Sequence, residues 1–109
     1  MTTQPQVDIL YFDGCPNWER TNALVEEIAG ELGLKPAIRR INVPDAEAAA
    51  QLRFLGSPTV RVDGLDVEPS ADKRHEFMLA CRVYRTEHGL AGQPDPAWIR
   101  SALERAAAR

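Results

Sequence analysis

Two cysteines and two histidines are the side chains best suited to chemistry in this chain of 109 residues. Cys15 follows Asp13-Gly14 and directly precedes Pro16. The run before it, Val7-Asp8-Ile9-Leu10-Tyr11-Phe12, is short, apolar and β-prone, and Asp-Gly ends it in a turn. Pro16 suits the first position of a helix, where its missing N–H costs nothing. Cys15 is therefore expected at a strand-to-helix turn, where unpaired backbone N–H groups and the positive end of a helix dipole converge. Both favour the thiolate, which is the nucleophile and the soft-metal ligand. Arg20 assists that effect, and Glu19 opposes it. A small packing residue in a turn is the plain alternative.

The other candidates are less pointed. Cys81 ends the apolar run Phe77-Met78-Leu79-Ala80-Cys81, where a free cysteine is commonly buried packing. His75 and His88 do not fit a standard zinc spacing, so no residue is assigned as a metal ligand and no cofactor is called for. His75, inside Asp72-Lys73-Arg74-His75-Glu76, reads as solvated, and Asp13 as a turn stabiliser. Arg82 and Arg85 share one face of a short strand over 82–86, read as solvated, with capture of a carboxylate such as glutathione's as the alternative.

The elements that position these residues follow from period and punctuation. Leu24, Val25, Ile28, Ala29 and Leu32 recur at helical spacing, and Gly33 is a natural stop, so a helix spans about 16–32. Residues 37–43 form a second strand, and Pro44-Asp45 opens an alanine-rich helix ending near Phe54-Leu55-Gly56. Pro58-Thr59-Val60-Arg61-Val62 and Leu65-Asp66-Val67 flank Asp63-Gly64, a strong hairpin signal. Pro94-Asp95-Pro96 announces a last helix with Asp95 as cap, and Trp98, Ile99, Ala102, Leu103 and Ala106 as its apolar face. The expected fold is a single α/β domain over 7–108, a mixed sheet of four to five strands with helices on both faces. Residues 1–6 are expected to be disordered, and 69–93 to be an irregular insert.

Composition narrows the function. Thirteen basic against sixteen acidic residues give a charge of −3, which argues against a nucleic-acid partner. No apolar run reaches a membrane span, and the first residues do not read as a signal peptide. Two cysteines are too few for a disulfide framework, so a cytoplasmic setting is expected.

Three stretches resemble the thioredoxin superfamily. They are Phe12-Asp13-Gly14-Cys15-Pro16-Asn17-Trp18, Gly56-Ser57-Pro58-Thr59-Val60, and the hairpin beyond it. More narrowly, Asp-Gly-Cys-Pro-x-Trp with Cys-Arg-Val-Tyr-Arg is similar to a small bacterial thioredoxin-like family. Some of its members carry selenocysteine at the place of Cys15, and some are labelled alkylmercury lyase. The resemblance implies that Cys15 attacks and that Pro58 is a cis-proline, beside which a thiol or disulfide substrate such as glutathione pairs. It places Pro16, Trp18, Ser57, Pro58 and Thr59 at the substrate. Trp18 stands where a resolving cysteine is expected, which leaves Cys81 or an external thiol to release a mixed disulfide. The implied activity is thiol–disulfide oxidoreduction. Soft-metal or organomercury binding is a second reading, and a non-catalytic binding module a third.

Overall fold

A computed structural model describes residues 4–108. Strand β1 (Gln6–Tyr11) pairs in parallel with β2 (Ala37–Asn42) through helix α1 (Trp18–Glu31). Helix α2 (Ala46–Gln51) leads on to β3 (Thr59–Val62), which runs antiparallel to β1 and turns into β4 (Leu65–Asp66). The result is a mixed four-stranded sheet of order β2-β1-β3-β4. A separate two-stranded ribbon of β5 (Tyr84–Thr86) and β6 (Gly89–Ala91) precedes helix α3 (Pro96–Ala107). Of the six residues expected to be disordered, 1–3 lie outside the described residues. Gln4 accepts a bond from the Lys35 N–H at 2.8 Å, and Gln6 opens β1.

Alternation along the strands divides the interior into two clusters. Val7 and Ile9 of β1 and Val60 and Val62 of β3 face Val25 and Ile28 of α1 and Ile99 and Leu103 of α3. Leu10 faces the opposite way, onto Val43, Ala49 and Phe54, so α2 covers part of the second face. That second face also carries charge. Register places Arg39 beside Asp8, Asp8 beside Arg61 and Arg61 beside Asp66, an alternating row across all four strands. Arg39 clasps Asp8 with bonds of 2.8 and 2.9 Å.

The element ends show where local chemistry decides. Asp63 and Gly64 both have positive φ, 51° and 86°, as a two-residue hairpin turn of the type that matches strand twist requires. Asp95 caps α3 by accepting the Ala97 N–H at 2.9 Å, with Pro96 first in the helix. α1 starts at Trp18, two residues later than expected. The Cys15 N–H closes a turn onto the Phe12 carbonyl at 3.2 Å, so helical bonding begins only with the Thr21 N–H on the Asn17 carbonyl. α2 stops at Gln51 because Arg53 adopts φ 54°, and Phe54 N–H returns to the Ala49 carbonyl at 2.8 Å. Among the described residues, no helix is long and apolar enough to cross a membrane.

Candidate functional site

Leu10 lies opposite Thr59, so the C-terminal end of β1 sits beside the N-terminal start of β3. The turn over 12–17, with Cys15, and the loop over 54–58 therefore leave the sheet at the same end. Cys15 is a free thiol with 5% of its surface exposed. Its neighbour Pro16 is exposed. Trp18 stacks on Tyr11 with ring centroids 4.1 Å apart and planes inclined by 16°.

The Ser57–Pro58 peptide is cis, and Ser57, Pro58 and Thr59 are all buried. Their polar groups are used by the chain itself. Ser57 N–H donates to the Ala80 carbonyl and Arg82 N–H to the Ser57 carbonyl, both at 2.8 Å, forming a bridge centred on Cys81. The Pro58 carbonyl accepts the Tyr84 hydroxyl at 2.5 Å. The Thr59 hydroxyl donates to the Gly56 carbonyl at 2.6 Å and accepts from Arg82 Nη1 at 3.0 Å. Gly56, at φ 121°, permits this approach. A Cβ there would lie 2.9 Å from Arg82 Cβ and 3.0 Å from the Ala80 oxygen.

The bridge brings Cys81 to the same end of the sheet as Cys15, yet with its side chain exposed rather than packed. The reason is alternation in the next few residues. Arg82 and Tyr84 point inward, at 2% and 0% exposure, while Val83 points out at 60%. Arg82 is thus not on a solvated face, as the strand pattern leads one to expect, and it is not free to hold a carboxylate of glutathione. Its guanidinium donates to Asp66 at 2.8 and 3.2 Å and to Glu68 at 2.6 Å, and it lies 4.3 Å over the Tyr84 ring. Burial opposes its charge, but Tyr84, Asp66 and Glu68 outweigh burial and raise its pKa. Burial also pushes the Tyr84 phenol well above its ordinary range, against the influence of Arg82. Among the described residues, the buried Ser57 Oγ and Arg82 Nε have no hydrogen-bond partner.

This network has no local signature in the sequence. Asp66 and Glu68 belong to the hairpin, and nothing in their spacing points to an arginine so much later in the chain. Arg85 is exposed and does not share a face with Arg82, because residues three apart on a strand point to opposite sides. His75 is also exposed, and its ring meets Phe77 edge-on. Trp98 packs against the larger cluster and near Tyr84. Among the described residues, no group of three or more His, Cys, Asp or Glu side chains is placed to hold a metal ion. In comparisons with known proteins, no family model and no curated protein matches the chain, so residues and geometry alone carry its functional reading.

Proposed function

We propose that this chain is a thioredoxin-like thiol oxidoreductase of the cytoplasm that works through Cys15 and needs no cofactor. The supporting observation is the convergence at one end of the sheet of the Cys15 turn, the Ser57-Pro58-Thr59 loop and the Cys81 segment. In this reading the Cys15 thiolate attacks one sulfur of a small disulfide. A Cys15–substrate disulfide forms, the original S–S bond breaks, and the leaving thiolate takes a proton. The Cys81 thiolate, or an external one such as glutathione's, then attacks the Cys15 sulfur, breaks the mixed disulfide and releases the second half of the substrate as a thiol. The new disulfide on Cys15 is reduced by further glutathione, which leaves as glutathione disulfide and frees the Cys15 thiol. The near-burial of Cys15 favours small substrates over protein disulfides. Pro16 and Trp18 flank the thiol and form the wall that such a substrate meets.

Replacing Cys15 by serine tests the reading, with reduction of hydroxyethyl disulfide by glutathione as the assay. Turnover by the wild type that is lost in Cys15→Ser supports it. Turnover unchanged by that substitution overturns it. Mercury or copper(I) binding that depends on Cys15, with no turnover, would instead indicate a soft-metal-binding thiol protein. No thiol-dependent behaviour at all would leave a binding module.

A further inference from the structure

Beside the β3–β4 hairpin lies an open cavity of about 630 Å³, a volume within the range of small-molecule sites. Neither cysteine lines it, so a ligand held there is bound independently of the proposed thiol chemistry. Its wall carries the guanidinium-bearing residues Arg53, Arg61, Arg74 and Arg105 and the acidic residues Asp66, Glu68 and Asp72. Most of that negative charge is already committed. Asp66 and Glu68 are held by Arg82, and Glu68 also pairs with Arg74 at 3.2 Å.

Arg61 is the cation left over from the cross-strand row. Both flanking carboxylates are clasped by other arginines, Asp8 by Arg39 and Asp66 by Arg82. Its own Nη2 donates only to main-chain carbonyls, of Leu52 at 2.7 Å and Arg53 at 3.1 Å. Burial lowers its pKa despite the nearby Asp66 and Asp8, which marks a charge short of compensation. Arg53 is a second, independent sign. It occupies the left-handed position after α2, at φ 54°, where glycine is the favourable residue and any other costs about 1 kcal/mol of conformational energy. The side chain kept at that position lies 4.9 Å from the centre of the Phe77 ring, on the cavity wall. Arg105 forms no ion pair among the described residues. A protein with net charge −3 thus gathers uncompensated positive charge in one concavity.

We propose that this cavity binds a small organic oxyanion, a phosphate ester or a polycarboxylate, held by Arg53, Arg61 and Arg105. Planar guanidinium forks match the paired oxygens of both groups. Leu55, Val67 and Phe77 supply apolar wall for the organic body of the ligand.

Titration of the whole chain with pyrophosphate and, separately, citrate tests this, with ionic strength held constant by chloride. Binding is followed by calorimetry and by the backbone amide resonances. The expected result is saturable binding of at least one anion, with shifts centred on Gly64, Leu65 and Ala71. Binding of pyrophosphate alone or of citrate alone identifies the phosphate or the carboxylate source. Arg105→Ala and Arg53→Gly each weaken binding by about tenfold. Arg53→Gly relieves a left-handed arginine, so the fold survives and weakened binding reports the side chain. The proposal fails if neither anion moves those amides at millimolar concentration, or if both variants bind as the wild type does.

Discussion

The Arg82 guanidinium clasps the Asp66 carboxylate at 2.8 and 3.2 Å with none of its side chain exposed to solvent. The pair ties a late, irregular segment to the first hairpin, and Glu68 and Thr59 complete its bonding. Removing the arginine strands the largely buried Asp66 carboxylate and leaves the similarly buried Glu68 with its bond to Arg74. Arg82→Met is expected to destabilise the fold by about 3–5 kcal/mol, as measured by urea denaturation. A loss under about 1 kcal/mol would mean the network contributes no more than a surface ion pair.

Gly56→Ala addresses the same junction from its backbone side. Its φ of 121° disfavours a side chain, and the added methyl meets Arg82 Cβ and the Ala80 carbonyl. The bridge to Ser57 must then open. The expected cost is about 2 kcal/mol, read as a lower melting temperature. Exchange of the Arg82 amide hydrogen should quicken at the same time, since its acceptor is the Ser57 carbonyl.

High pH acts on the fold through Tyr84. Burial holds the Tyr84 phenol protonated far above its ordinary 10.0; Arg82 works the other way, while Asp66 and Glu68 add to the rise. Above pH 10 the unfolded chain has released this proton and the folded chain has not. The unfolded state then binds fewer protons, so stability present in full below pH 10 falls by about 1.4 kcal/mol per pH unit above it. Absorbance at 295 nm should show one tyrosinate appearing only as the circular dichroism of the fold is lost. Tyr84→Phe should remove that step.

Thiol labelling should distinguish the cysteines by access. A bulky maleimide is expected to modify exposed Cys81 first, while buried Cys15 yields to small alkylating agents. Mass spectrometry of Cys81→Ser after brief maleimide treatment should show little adduct. Rapid labelling of that variant would place Cys15 in open solvent instead.

Asp95 caps α3 through the Ala97 N–H and also accepts from the Glu87 N–H at 3.4 Å. Asp95→Ala is expected to lower stability by about 1 kcal/mol in thermal unfolding, with Asp95→Asn or Asp95→Ser recovering most of it.

Much of this architecture is legible locally. Asp95-Pro96 and Asp63-Gly64 declare a helix start and a hairpin through their own backbone preferences, and the apolar periods of α1 and α3 declare their buried faces. The features without a local signal depend on distant partners. Arg82 has the pattern of a solvated strand residue, and only the carboxylates of Asp66 and Glu68 draw it inward. Its inward turn in turn exposes Cys81, reversing the packing that an apolar run implies. Helix ends depart from their sequence signals where bonding competes: the Cys15 N–H serves a turn before the helix can use it, and Arg53 stops α2 without the glycine that usually announces such a stop.

The alternating row Arg39–Asp8–Arg61–Asp66 also works as a check on assembly. If β3 slipped by one residue along β1, Arg61 would swing in among Val25, Ile28 and Leu103, and Val60 or Val62 would take its place among the charges. Every such mispairing buries a bare guanidinium and exposes a valine at once. Correct strand alignment is thereby favoured by charge as well as by apolar burial.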